Sequence, residues 1–321
     1  MTTSAPPLPL VTVVCPVFNE EGTVPLFYAE FLKAITEIER RVRFELLFVN
    51  NRSTDGTLNV LRDLAAKDPR VGYITLSRNY GYQASITAGM RHARGDAIAN
   101  IDVDCEDPPA MLPRFIERWL DNVDVVYGIR RTRPEPLPWR LGRKLFYRFA
   151  RVVSDHEIVL DMAEFFLVDR RVRDVVLSTQ STFPFVRGQV GYVGFKREGI
   201  PYARHKRVAG KTHYNFFSAA RFGVAGILSS STMPLRMMAY VGCVILPFDL
   251  LSALAVLFFG GHWGLDLAAR LLYATVTIHL GCLVLALSFL GIYLARVYKD
   301  VIGLPLYVVD ERLSGMPRLE P

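Results

Sequence analysis

The sequence predicts an α/β protein, a mostly parallel sheet clad in helices on both faces, with a C-terminal transmembrane helical hairpin. Two observations carry this expectation. Strand, loop and helix patterns alternate through the first hundred residues, and two long apolar runs follow near the end of the chain. Strands separated by helices need crossover connections, which align the strands in parallel and bury both faces of the sheet.

Residues 11–14 form a short β-branched apolar run that ends at Pro16, and residues 24–38 then read as a helix. The pattern repeats with a strand at 44–49, a turn-rich loop at 50–56 and a helix at 57–66. A third strand at 71–76, a helix at 81–93 and a fourth strand at 97–101 complete the series. Ligands of such sheets sit at the carboxyl ends of the strands. The loops at 16–21, 50–57, 77–82 and 102–109 therefore form the candidate site. Beyond them, residues 128–138 are rich in arginine and proline and predict a mobile segment over the site. A helix at 139–153, a segment at 161–168, a strand pair at 190–200 and an amphipathic stretch at 215–233 resting on a membrane surface are expected next.

Residues 237–261 contain one formal charge and residues 271–295 none, and each run exceeds the roughly 20 apolar residues that cross a bilayer. Only a short link, 260–270, joins them. Arg204, Lys206, Arg207, Lys211, Arg221 and Arg236 precede the first run, and Arg296, Lys299 and Arg312 follow the second. By the positive-inside rule both flanks are cytoplasmic, so the expected localisation is a multi-pass membrane protein with its large domain in the cytoplasm. The opening MTTSAPPLPL lacks the features of a secretion signal. Asp249 and His279 fall within the two runs at comparable depth, and the expectation for them is a structural hydrogen bond within a homo-oligomer.

Cys15, Cys105, Cys243 and Cys282 are spaced too widely for a zinc site and suggest no disulfide. The net charge of +7 gathers near the apolar runs, which points to anionic lipid and phosphate as partners and not to nucleic acid.

Asp102-Val103-Asp104 ends the fourth strand, with Glu106 and Asp107 close behind, so four carboxylates crowd one strand tip. Their mutual repulsion calls for a hard divalent cation, Mg²⁺ or Mn²⁺, that bridges diphosphate oxygens. Three further loops precede it in order: Cys15-Pro16-Val17-Phe18-Asn19-Glu20, Asn50-Asn51-Arg52-Ser53-Thr54-Asp55-Gly56, and Ser77-Arg78-Asn79-Tyr80-Gly81.

With these motifs, and Asp102 to Pro109, the chain resembles the polyprenyl-phosphate branch of the family 2 glycosyltransferases, over nearly its whole length. The resemblance implies a GT-A (Rossmann-like) fold, a nucleoside diphosphate sugar donor, a divalent metal and a polyprenyl phosphate lipid acceptor. Its domains would be a catalytic domain at 1–214, amphipathic juxtamembrane helices at 215–236, two transmembrane helices at 237–297 and a cytoplasmic tail at 298–321. Position by position, Pro16, Phe18 and Glu20 would line the nucleotide pocket, Asp102 would hold the ribose or sugar, and Asp104 with Glu106 would bind the metal. The family's glutamine is Glu106 here, which adds charge to that site. Asn51 stands where the family has an aspartate that reads the base; its amide both donates and accepts, so it suits uracil or guanine and tolerates cytosine. A UDP-sugar is the expected donor.

Downstream, Gly128-Ile129-Arg130 resembles the family's phosphate-side arginine, with Arg143 as an acceptor-phosphate contact. Asp161-Met162-Ala163-Glu164-Phe165 stands in place of an Asp-x-Gly-Asp-Phe pattern, so Asp161 and Glu164 join Asp104 and Arg130 as candidate catalytic residues. Arg207, Lys211, Thr212 and Tyr214 lie in a segment that resembles the basic loop meeting the acceptor phosphate. A processive polysaccharide synthase is a rival reading, but its Q-x-x-R-W motif is broken because Phe115 precedes Arg118-Trp119. A non-catalytic nucleotide-binding membrane protein is the other rival.

Overall fold

The computed structural model describes residues 7–130, 162–178, 184–205 and 233–317. In chain order these form β1 (Leu10–Val17), α1 (Val24–Ile35), β2 (Arg43–Asn50), α2 (Thr57–Lys67), β3 (Val71–Thr75), α3 (Tyr82–His92) and β4 (Ala97–Asn100). They continue with α4 (Leu112–Leu120), β5 (Val125–Arg130), β6 (Met162–Asp169), α5 (Arg170–Ser178), α6 (Val186–Tyr192), β7 (Arg197–Tyr202) and α7 (Met233–Ile302). The expected strands and helices of the first hundred residues are all present. Their alternating strand–helix pattern is local, so it can be read without tertiary context.

The seven strands lie in one sheet in the order β3-β2-β1-β4-β6-β5-β7. β1 pairs in parallel with β2 and β4, and β2 with β3, while β6 runs antiparallel to both β4 and β5. The tips of β1, β2 and β4 thus share one end of the sheet with the tips of β5 and β7 and the start of β6. Alternate residues of the central strands pack into two cores. One face buries Val13, Cys15, Leu46 and Phe48 under Phe27, Phe31 and Phe115; the other buries Val14, Leu47 and Val49 under Ile86 and Met90. Burial on both faces is what makes these strands read as continuous apolar runs.

Two expectations need correction. Of the strand pair at 190–200 only β7 is a strand, because Val186 and Val190 sit four apart and bury one side of helix α6. The hairpin expected from two runs joined by the 260–270 link is not seen either: Met233–Ile302 is one continuous helix. Within α7, Ala269–Ile302 is long and apolar enough to cross a membrane: its most apolar 18-residue window has a mean hydropathy of 2.2 and none of that window is buried inside the protein. His279 Nδ1 lies 2.7 Å from the Thr275 carbonyl of its own helix. The side chain of Asp249 lies outside the described residues, as do the helix expected at 139–153 and the amphipathic stretch at 215–233.

The tail is the part that the sequence placed least well. After α7 the chain returns to the sheet and lies along the edge strand β3, with antiparallel bridges between Tyr73 and Gly315 and between Leu76 and Val309.

Behind α2, the Asp68 carboxylate accepts from Arg70 Nη2 at 2.8 Å and from the Tyr28 hydroxyl at 2.7 Å. Burial pulls this carboxyl up, but the Arg70 fork, the Arg70 backbone N–H and Tyr28 outweigh it and hold its pKa below the ordinary 3.8. A depressed acid adds stability above its unfolded-state pKa and loses it as pH falls through the folded value. Asp68→Asn is therefore expected to lower the thermal midpoint at pH 7, by the equivalent of about 1 kcal/mol, and to have no such effect near pH 2. Thermal scans of both forms across that range check this.

Candidate functional site

Four loops at the carboxyl ends of β1 to β4 are stitched to one another. Asn19 leaves β1 in the left-handed region, φ 57°, and its side chain accepts from Thr54 N at 2.8 Å. Asn19 N donates to Ser53 Oγ at 3.0 Å, Glu20 N to Thr57 Oγ1 at 2.8 Å and Gly56 N to Glu21 Oε2 at 2.7 Å. The first and second loops thereby form one wall.

Among the residues expected at the nucleotide, Pro16 is buried within β1, opposite Val49 of β2. Phe18 is exposed at the tip. Glu20 lies just before α1, where its carboxylate accepts from the Thr23 hydroxyl. Asn51 is buried, and its amide is used by the protein itself: Nδ2 donates to Asn79 Oδ1 at 3.0 Å, and Oδ1 accepts from Tyr80 N at 2.9 Å. This amide tethers the β3–α3 loop to the β2 tip, which its residue type alone does not reveal.

The β4 tip carries the acidic cluster. Asp102 accepts from the Tyr82 hydroxyl at 2.6 Å. Its pKa is pushed up to about 7, first by burial and then by the charge of Asp104, with the Tyr82 bond acting in the opposite direction. Asp104 is buried, and its Oδ1 accepts from Glu106 N at 3.0 Å. Glu106 is drawn into an ion pair with Arg204, just beyond β7. Among the described residues no three His, Cys, Asp or Glu side chains converge into a complete metal cage.

Arg130, expected on the phosphate side, ends β5 with its fork on Asp107: Nη2 to Oδ2 at 2.6 Å and Nε to Oδ1 at 3.2 Å. The Tyr202 hydroxyl also donates to Asp107, which is buried. The guanidinium therefore neutralises an interior carboxylate at the edge of the site. Asp107 was visible in the acidic run, but its partner Tyr202 lies 95 residues away and carries no local signal.

Glu164 of β6 lies across from Asp102. Its Oε1 accepts from Gln83 Nε2 at 3.3 Å, and Gln83 Oε1 accepts from Val186 N at 3.0 Å. Burial raises the Glu164 pKa, opposed by Arg187 and the Gln83 bond. Asp161, Arg143, Arg207, Lys211, Thr212 and Tyr214 lie outside the described residues. Tyr82 and Gln83 fall in the Gly81-Tyr82-Gln83-Ala84 stretch that resembles the family, but the sequence assigns them no role; Arg204 reads there only as a membrane-flanking cation, and Tyr202 carries no cue.

A carboxylate cluster at a strand tip, walled by stitched loops and open beside an exposed aromatic ring, suits an anionic ligand carried with a cation. Residues 12–176, just over half of the chain, match the Glycosyl transferase family 2 model. The chain is a family 2 glycosyltransferase. The transferase is 34% identical over 308 residues to the uncharacterized glycosyltransferase YkcC of Bacillus subtilis, covering 94% of this chain and 93% of that one. It is 32% identical to the prophage bactoprenol glucosyl transferase homolog of Escherichia coli, covering 93% and 98%. The bactoprenol glucosyl transferase of Shigella phage SfII is 31% identical, covering 96% and 99%. These relatives are consistent with the polyprenyl-phosphate branch of the family.

Proposed function

We propose that the transferase moves a sugar from a nucleoside diphosphate sugar, a UDP-sugar, to a polyprenyl phosphate at the cytoplasmic face of a membrane, inverting the anomeric centre. The observation that carries this reading is the pair Asp102 and Asp104 at the β4 tip, where burial first and then the charge of Asp104 push Asp102 up to about 7. The relatives named for bactoprenol and the apolar helix α7 support the lipid acceptor.

The donor set fits a divalent ion. Magnesium-type sites commonly use one or two carboxylates and complete the shell with water and substrate phosphate, so Asp104 and Glu106 suffice beside a diphosphate. When bound, Mg²⁺ or Mn²⁺ would supply Lewis-acid stabilisation of the departing diphosphate. Arg204 shares Glu106 and sets how much of its charge the ion receives.

On the acceptor side, a phosphate monoester has a second pKa of about 6, so a lipid phosphate is mostly dianionic at pH 7 and needs no base. The protein's task is to align two anions that repel each other. Glu164, held by Gln83, orients the sugar or acceptor, and Asp161 joins it. Arg143, Arg207, Lys211, Thr212 and Tyr214 receive the lipid phosphate through charge-assisted bonds. Arg130 stays on Asp107 and contributes positive potential at the diphosphate.

A straight α7 would measure about 105 Å, more than three times a hydrocarbon core of about 30 Å. Two crossings by the apolar runs would require α7, continuous in the structure, to break within 260–270; the return of the tail to β3 is the observation that supports such a break.

A donor screen with membranes, short-chain polyprenyl phosphate and mass spectrometry of the lipid product tests the reading. A glycosylated lipid phosphate whose formation stops with EDTA is expected; nucleotide release without a lipid product would refute the acceptor. Arg207→Ala should raise KM for the lipid phosphate about tenfold and leave KM for the donor unchanged, consistent with loss of one charge-assisted contact. The reverse pattern would remove Arg207 from the acceptor side.

A further inference from the structure

We infer that residues 304–317, the segment after the membrane helix, act as a strap that positions the donor side of the site, with Asp310 as its positioning residue. This rests on the proposed nucleoside diphosphate sugar donor binding beside the 50–57 and 77–82 loops, where the family resemblance puts the base-reading residue at Asn51.

The strap covers what would otherwise be an open sheet edge. Tyr73 N donates to Gly315 O at 2.7 Å and Gly315 N donates back to Tyr73 O at 2.8 Å, while Asp310 N donates to Thr75 O at 2.8 Å. Thr75 binds it twice more, its N–H to Ser314 Oγ at 2.9 Å and its hydroxyl to Leu313 O at 2.7 Å. At the far end Arg94 bridges the buried Glu45 and the Pro317 carbonyl, at 2.8 and 2.7 Å. β3 carries glycine where the strap lies flat: a Cβ on Gly72 would come within 2.2 Å of the Pro317 ring and 2.6 Å of its backbone nitrogen.

From this anchored edge the strap reaches both loops that flank Asn51. Ser77 N, at the start of the loop bearing Asn79 and Tyr80, donates to Val308 O at 2.8 Å. Asp310 Oδ2 accepts from Arg52 Nη1 at 3.3 Å. Arg52 stands in the left-handed region, φ 62°, where a side chain is disfavoured, directly before Ser53 and Thr54, whose N–H groups hold the loop to Asn50 and Asn19. Both residues of the Arg52–Asp310 pair are partly solvated, so the pair adds little to global stability. What it sets is where the 50–56 loop sits. The segment leaving the membrane is thereby joined mechanically to the donor wall.

The test uses the full chain in detergent, with hydrogen–deuterium exchange of the Ser53, Thr54 and Gly56 amides and steady-state kinetics with UDP-glucose and a short-chain polyprenyl phosphate. Asp310→Ala is expected to speed exchange of those amides and raise KM for UDP-glucose about three- to fivefold, with kcat and the lipid KM within twofold. The exchanged pair Arg52→Asp with Asp310→Arg should restore both values. Gly72→Val should release the strap itself, so that the Tyr73 and Thr75 amides exchange faster together with the loop. Unchanged loop exchange in Asp310→Ala, or no recovery in the charge swap, overturns the proposal. The exchange arm needs no donor: faster loop exchange in Asp310→Ala supports the strap even if the wild type fails to turn over UDP-glucose, and that failure would count against the donor reading alone.

Discussion

Asp104→Asn is expected to lower sugar transfer by at least about 10²–10³-fold while leaving the thermal midpoint within a few degrees of wild type. The substitution keeps the shape and removes the charge. Asp104 is buried at the end of β4 and is linked to the backbone of Glu106. If its work is to hold a cation against an exiting diphosphate, the asparagine amide cannot replace it, because a neutral ligand leaves the diphosphate charge less well offset. Added Mn²⁺ at high concentration should recover part of the activity. Wild-type turnover in the variant with EDTA present would remove the metal from the reaction. The proposed membrane association through α7 does not involve the β4 tip and should not change.

Asp107→Ala should be strongly destabilising, costing about 3–5 kcal/mol and lowering the thermal midpoint by about 10 °C or more. Its carboxylate is 2% exposed and the Arg130 side chain 16% exposed, so its removal strands a desolvated guanidinium and the Tyr202 hydroxyl. Removing both charges, in Asp107→Ala with Arg130→Ala, should cost less than the single change, because no unpaired ion remains. The same double variant separates two roles for Arg130. Recovered stability with transfer near wild type would make it a purely structural ion; recovered stability with transfer still lost would place its charge at the diphosphate.

Much of the catalytic half was legible before any coordinates. The strands at β1 to β4 show as short apolar runs because both of their faces are buried, and the loops after them show as Pro16, Asn50-Asn51 and Asp102-Val103-Asp104 because turns and ligand sites need residue types that cores exclude. The apolar runs of α7 were equally plain. The partners of the site residues were less so. Residue type suggested a base-reading amide at Asn51 and a phosphate-side arginine at Arg130, but not that Asn51 is also held by Asn79 and Tyr80 or that Arg130 rests on Asp107. Residue type tells what a side chain can bind, and a neighbour of the right chemistry brought close by the fold takes the bond first.

The sequence by itself determined the order of elements, the acidic strand tip and the apolar helix, since each is written within a few residues or a few turns and follows from local periodicity and contiguous hydrophobicity. Only the tertiary structure decided that β6 enters the sheet antiparallel, that Tyr202 closes on Asp107, and that the tail returns to β3 with Asp310 on Arg52, 258 positions away. Such pairings depend on where the sheet twists and which edge is left open, and no local pattern in the chain encodes that.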